Sequence, residues 1–208
     1  GIAGMIYQTV FTNPLASPDI IGVSSGASAG AAFAMLFLPG TMFSVTASAF
    51  VGSILAVILA LGLSAVAPGK SNVTMVLSGL AVHSLAQTLL MVLKLSADPE
   101  RELAAIEYWI MGSLNGITIQ KLPFTCVVTC ICIGILFLLY RQVLLLSMEE
   151  EEARMLGVPV RQVRMCILVL ATIVVAAIVS VTGIISFVGL LAPHAARLLL
   201  KDSRISTL

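Results

Sequence analysis

Charge is what this sequence has least of. Lysine, arginine, aspartate and glutamate together make up 10% of its 208 residues, against roughly 25% in a soluble domain. Hydrophobic residues make up 59%, and the mean hydropathy is +1.11. A water-soluble chain of this length could not bury so much apolar surface, whereas lipid removes the need to do so. The net charge of +1, with no basic cluster, excludes a nucleic-acid partner. Histidine is nearly absent as well. Two distant histidines and the cysteines Cys126, Cys130, Cys132 and Cys166, all set in apolar runs, do not make a structural metal site. The cysteines read as small hydrophobes in membrane helices. No cleavable signal peptide opens the chain. It begins inside an apolar stretch without an initiator methionine and stops after Leu208, so it is expected to be an internal piece of a longer protein.

What the sequence has instead is apolar runs near the length of about 20 residues that a membrane helix needs. An initial partial span ends near Phe11. Others cover Ile20–Leu38, closed by Pro39-Gly40, and Met42–Ala67, closed by Pro68-Gly69. A fourth runs from Val73 to Leu95, a fifth from Leu122 to Leu146 and a sixth from Met165 to Thr182. A last segment, Ile184–Leu200, is interrupted by Pro193-His194, where proline frees a carbonyl and predicts local non-helical backbone. The expected class is all-α, a polytopic bundle with about seven helices in a single unit over residues 1–208. Strict alternation puts eight Lys and Arg residues on one side and Lys94, Arg101 and Lys121 on the other, so the richer side is cytoplasmic. The polar stretch 96–121 then faces outward and the charged loop 147–164 faces the cytoplasm. Gly22, Gly26 and Gly30 form overlapping GxxxG patterns, which let helix backbones approach closely in lipid.

Two sequence patterns mimic enzymes. Gly69-Lys70-Ser71 resembles the end of a phosphate-binding loop, but Ser64 stands where GxxxxGK[ST] needs glycine. The chain is therefore expected to hold no ATP of its own. Gly22-Val23-Ser24-Ser25-Gly26 fits GxSxG, and Ser24, Asp98 and His194 even follow a hydrolase order. That motif needs a strand–turn–helix in a soluble sheet. Here it opens a membrane helix, with Asp98 expected at the opposite membrane face. An intramembrane serine hydrolase is thus the weaker alternative, and no catalytic residue is assigned.

Candidate path residues lie in the fourth span. Gly79, His83 and Gln87 share one face at i,i+4 spacing, with Ser78 and Ser84 nearby. Polar side chains at membrane depth usually face a bundle interior or a water path, although a simple interhelical hydrogen bond would also account for them. In the loop 147–164, Glu149–Glu152 precede Arg154, Arg161 and Arg164. Glu150 and Arg154 are i,i+4 in the favourable order for a surface helix. Gly157 and Pro159 would end that helix, which suits docking by a soluble partner.

Four segments then resemble one family in order. Asn13-Pro14-Leu15-Ala16-Ser17-Pro18 with Ile21–Ala27 resembles the NPLA-x-P…LGVSSGA signature of permeases importing ferric siderophores, haem and cobalamin. Trp109–Leu114 is similar to their W-x-x-GSL segment, and Glu151–Val158 to their cytoplasmic EE-x-A-x-x-LGV segment. Gly183–His194 with Arg197 resembles G-x-I-x-FVGL-x-x-PH-x-x-R. The resemblance is to the FecCD-type permeases of ATP-binding-cassette importers. It implies a ten-helix subunit in the bacterial cytoplasmic membrane, paired with a second copy, of which the first and last two helices are missing here. It also implies ATPase subunits, which bind ATP and magnesium, at the cytoplasmic loops, and a substrate-binding protein outside. Ferric siderophore is the expected cargo, with cobalamin or haem as alternatives. Glu150, Glu151, Glu152, Arg154, Leu156, Gly157 and Val158 would couple to the ATPase. Asn13, Pro14, Pro18, Gly22, Gly26, Gly189, Pro193, His194 and Arg197 would be structural motif positions.

The loop carries a prediction. Gly157 permits the left-handed turn that stops the coupling helix, and a β-branched residue there adds about 1–2 kcal/mol of strain or more. A full-length Gly157→Val permease is expected to insert normally but to lose transport and stimulated ATPase activity together. Both are measured in reconstituted vesicles, where normal uptake would reduce the loop to a connector.

Overall fold

In lipid an apolar run can satisfy its backbone only as a helix or a closed barrel, and this chain takes the helical solution. The computed structural model describes residues 1–67, 72–115, 117, 119, 122–146, 155 and 159–200. Among them there are no strands and nine α-helices: α1 (Ile2–Val10), α2 (Val23–Phe37), α3 (Met42–Val66), α4 (Asn72–Ser96), α5 (Glu102–Met111), α6 (Leu122–Leu138), α7 (Tyr140–Leu145), α8 (Val160–Thr182) and α9 (Val188–Leu200). A 3-10 turn, Pro18–Ile21, precedes α2. Three helices, α3, α4 and α8, are long and apolar enough to cross a membrane, and α8 is the most buried of them.

The local reasons are legible. Thr41 caps α3 by accepting the Ser44 N–H at 3.2 Å. The segment 96–121, expected as a polar stretch, contains α5. Asp98 accepts the N–H groups of Glu100 (2.9 Å) and Arg101 (3.3 Å), and Glu102 reaches back to the Asp98 N–H at 3.0 Å. This is the reciprocal logic of a capping box. Ile106 is then buried, with Leu103 and Ile110 packed against Ala29, Ala32, Leu90 and Leu93.

Three expectations are corrected. The span 122–146 is two helices, because ψ of 10° takes Leu139 out of the helical range. The second span starts as the 3-10 turn, and α2 begins only after Gly22 has taken left-handed geometry (φ 85°). The predicted break at Pro193 is not there, since α9 runs through it. The chain instead breaks at Gly183–Phe187, where Gly183 (φ 70°) and Phe187 (φ 67°) are both left-handed. Pro193 lies in the second turn of α9, so only the Gly189 carbonyl loses its i−4 donor. That oxygen lies against the Gly4 Cα, where a side chain would collide with it.

Helix contacts are closest where no side chain intervenes. A Cβ on Gly26 would lie 2.7 Å from the Ala56 Cβ and would strike the Gly52 carbonyl. One on Gly30 would meet the Ser48 carbonyl carbon at 2.9 Å. Gly26 and Gly30 of the GxxxG stripe are therefore occupied by α3. Buried hydroxyls add interhelical bonds. Tyr7 pairs with Thr172 at 2.7 Å, joining α1 to α8, and Ser53 donates to the Val23 carbonyl at 3.0 Å, joining α3 to α2.

Glycines 26 and 62 make a controlled pair. Gly62 faces open space, so Gly62→Ala is expected to stabilise α3 by up to about 1 kcal/mol. Gly26→Ala is expected to cost about 1–3 kcal/mol by overpacking. Unfolding of the full-length protein in mixed micelles reads both.

Candidate functional site

The turn Pro18–Gly22 sits inside the bundle, and glycines are what admit it. A Cβ on Gly79 would meet the Ile21 Cα at 3.0 Å and crowd the Ile20 carbonyl. A Cβ on Gly22 would lie 3.4 Å from the backbone nitrogen of His83. The turn is thus seated on α4 between residues 79 and 83. Its exit, at Val23, is held by Ser53 of α3. Ser53 and His83 are each close to the midpoint of a 25-residue helix, so the turn lies at mid-membrane depth. The helix α2 that leaves it has 15 residues, about 22 Å of rise against a hydrocarbon thickness of about 30 Å.

At this depth Asp19 accepts a short hydrogen bond from the Ser24 hydroxyl. Ser25 donates to the Gly22 carbonyl at 3.1 Å, and Ser28 to the Ser24 carbonyl at 3.0 Å. The GxSxG serines therefore serve the start of α2. Ser24 is paired with a carboxylate, not with a histidine. Asp19 and Ser24 line a cavity of about 460 Å³ between α1, the turn, α6, α8 and the start of α9.

The four path residues do not share one surface. Ser78 and Gly79 are buried, Gly79 beneath the turn. His83 is half-buried, with its Nδ1 enclosed and unpartnered, and Gln87 is exposed. The arc of α4 around Gln87, with Ser84, Thr88 and Met91, is open.

A second junction joins two sequence motifs. Gly112 (φ 64°), at the end of α5, and Gly183 (φ 70°), at the end of α8, meet backbone to backbone. A Cβ on Gly183 would lie 2.8 Å from the Gly112 Cα. The Ser113 N–H donates to the Thr182 carbonyl at 2.7 Å, and Trp109 packs against the cluster of Ala27, Ala31, Val45 and Val179. The first motif touches the last in the same way, because a Cβ on Gly189 would come within 3.2 Å of the Pro18 ring. Three of the four motifs are therefore contact points between helices.

The whole chain, residues 1–208, matches the FecCD transport family. The chain belongs to that family. It is 34% identical over 205 residues to the cobalamin import system permease protein BtuC of Halobacterium salinarum, covering 98% of this chain and 55% of that protein. It is 36% identical over 206 residues to the hemin transport system permease protein HmuU of Yersinia pestis, covering 95% of this chain and 60% of that one. A solved structure of an inward-facing metal-chelate type ABC transporter superposes with a TM-score of 0.90 at 31% identity, over 99% of this chain and 66% of that chain. The chain spans a little over half the length of the two curated relatives.

In this FecCD chain, Glu150, Glu151, Glu152, Arg154, Leu156, Gly157 and Val158 lie outside the described residues. Of the motif positions, Asn13, Pro14 and His194 are exposed, Pro18, Gly22, Gly26 and Pro193 are buried, and Gly189 is half-buried. Arg197 belongs to α9, with its side chain outside the described part. Asp19 is the residue that sequence reasoning passed over. Its signal was present, since it is the sole charged residue between Gly1 and Gly69.

The serine geometry predicts a negative result. A nucleophilic serine needs an adjacent base that is itself oriented by a third group, and Ser24 is committed to Asp19. A fluorophosphonate probe is expected to leave Ser24 and Ser25 of the full-length protein unmodified. Mass spectrometry checks this, and an adduct at either serine would revive the hydrolase.

Proposed function

We propose that this chain is part of the membrane-spanning permease subunit of an ATP-binding-cassette importer in a bacterial cytoplasmic membrane, with a ferric siderophore as cargo. The observation that carries the reading is the whole-chain match to the FecCD family, joined to a superposition at a TM-score of 0.90. The cargo is the less constrained part. The relatives bear the names of cobalamin and hemin systems, and either ligand is the second reading. ATP and magnesium would be held by partner ATPase subunits docked at the loop 147–164. A substrate-binding protein would dock on the side bearing α5, and a second permease copy would complete the pathway.

Mechanically, the permease gives its cargo a route whose walls rearrange when the ATPases close. The mid-membrane turn supports this role. Non-helical backbone at membrane depth is tolerated where it is buried in protein or lines a water-filled cavity, and here it sits beside both α4 and a cavity. The arc of α4 around Gln87 would face the cargo, with His83 at its edge.

Two measurements test the reading. Full-length permease reconstituted with its ATPase and binding protein is expected to take up ferric siderophore only when ATP is supplied. No ATP-driven uptake of siderophore, haem or cobalamin would overturn it. Within that protein, Gln87→Cys is expected to react with a water-soluble thiol reagent, whereas a cysteine at the buried Val82 stays unreactive. Protection of position 87 with labelling confined to other faces of α4 would move the pathway elsewhere.

A further inference from the structure

Helices α2, α3 and α4 leave an apolar groove of about 570 Å³ between them. Its lining begins at Gly26 and ends at Leu89, so three consecutive helices build it. The floor is small. Gly26, Gly30 and Gly52 lie where the backbones of α2 and α3 touch, and Ala56 and Ala86 stand beside them. The rim is large, because Phe33, Leu55, Leu59, Leu85 and Leu89 line the groove and are exposed. Ser48 is the sole polar side chain in the lining among the described residues. Along α3 the lining covers residues 47–59, about 18 Å at 1.5 Å per residue. One leaflet supplies half of a hydrocarbon core about 30 Å thick. On α4 the lining covers residues 82–89, from the middle of that helix towards the end that leads into α5. The groove therefore has the length of one leaflet, the one on the side of α5.

Both long walls, α3 and α4, are apolar enough to cross a membrane, and an empty apolar groove forfeits dispersion contacts along its lining. Lipid offers two apolar occupants, a helix and an acyl chain. Helices associate in lipid through small residues that let backbones approach, or through polar side chains. Here the small residues lie at the bottom, behind a rim of leucine and phenylalanine, and the polar contribution is one serine. An approaching helix meets the rim, whereas a flexible hydrocarbon chain reaches the floor. We infer that the groove seats one acyl chain of a phospholipid from the leaflet on the α5 side, with its terminal methyl near Ala56 and Val82. At 3.6 residues per turn, Val82, Leu85, Ala86 and Leu89 lie on the opposite side of α4 from Gln87. The tail thus supports the back of the helix whose front faces the proposed path. The inference requires only that α3 and α4 lie in a bilayer, and it holds whatever the cargo.

The test places full-length permease in phosphatidylcholine vesicles doped with phosphatidylcholine that carries a diazirine on its acyl chain. Light converts the diazirine to a carbene, and mass spectrometry maps the adducts. A diazirine near the chain end is expected to mark Ala56 and Val82, and one near the ester to mark Ala47 and Leu89. Ile58, exposed on α3 outside the groove, reports ordinary lipid contact. Ala86→Phe fills the floor and is expected to lower the groove adducts severalfold while Ile58 is marked as before. Ala47→Phe, at the mouth, reads the same loss should Ala86→Phe fail to fold. Adducts on Ile58 with none in the groove would overturn the inference, since a further helix or a second copy of the chain would then cover it. Groove adducts that ignore both the position of the diazirine and the two fillings would overturn it too, leaving the groove as ordinary lipid-facing surface. Uptake is not the readout, so the importer reading and this seat can fail independently.

Discussion

The bundle depends on backbone meeting backbone. Between two helices in lipid, apolar side chains gain little by leaving the solvent, because lipid tails are as apolar as leucine. What remains is van der Waals contact at close range, and that requires positions with no side chain. The structure uses the device repeatedly: Gly26 on Gly52, Gly30 on Ser48, Gly4 on Gly189, Gly79 on Ile20, and Gly112 on Gly183. The exposed leucines of α3 and α4 contribute length and solubility in the bilayer, not specificity. Position in the fold is therefore set by glycine, and the large residues follow.

Those contacts also make the functional region possible. A non-helical turn at mid-membrane depth leaves amide groups that need partners. Here the turn is short, and its close seat on α4 relies on Gly79 and Gly22. Ser53 satisfies the Val23 carbonyl, and Ser24 and Asp19 satisfy each other. Adding a single methyl group at Gly79 would displace the turn and, with it, the carboxylate. Packing and chemistry thus share the same residues, and three of the family's motifs can be contact points without being reactive.

Much of this was legible in the sequence, and the failures have physical causes. The spans expected at Met42–Ala67 and Val73–Leu95 match α3 and α4 within about a residue. Both are uniform apolar runs bounded by Pro-Gly or polar residues. The α5 helix was hidden because its charges obscure the period, and its cap only becomes visible once Asp98 and Glu102 are seen to reach each other. Proline suggested a break at Pro193, but a proline in the second turn deprives one carbonyl of its donor, and the helix runs on past it. The i,i+4 row of Gly79, His83 and Gln87 is a true stripe on α4. The sequence could not reveal that the turn covers one end of it and leaves the other open. Asp19 escaped notice because a single acid beside proline reads as an ordinary loop residue, and its meaning comes from depth alone.

The bond between Tyr7 and Thr172 joins residues 165 positions apart. A ribosome adds about 5–20 residues per second, so the tyrosine is made roughly 10–30 s before its partner exists. Throughout that interval α1 holds a phenol with no native acceptor, and an unsatisfied polar group in hydrocarbon costs several kcal/mol. The α2–α3 pair needs only residues 23–66 and can close at once. The contacts between α2 and α3 are therefore available well before the bond that ties α1 to α8, which has both its partners only once α8 has been made.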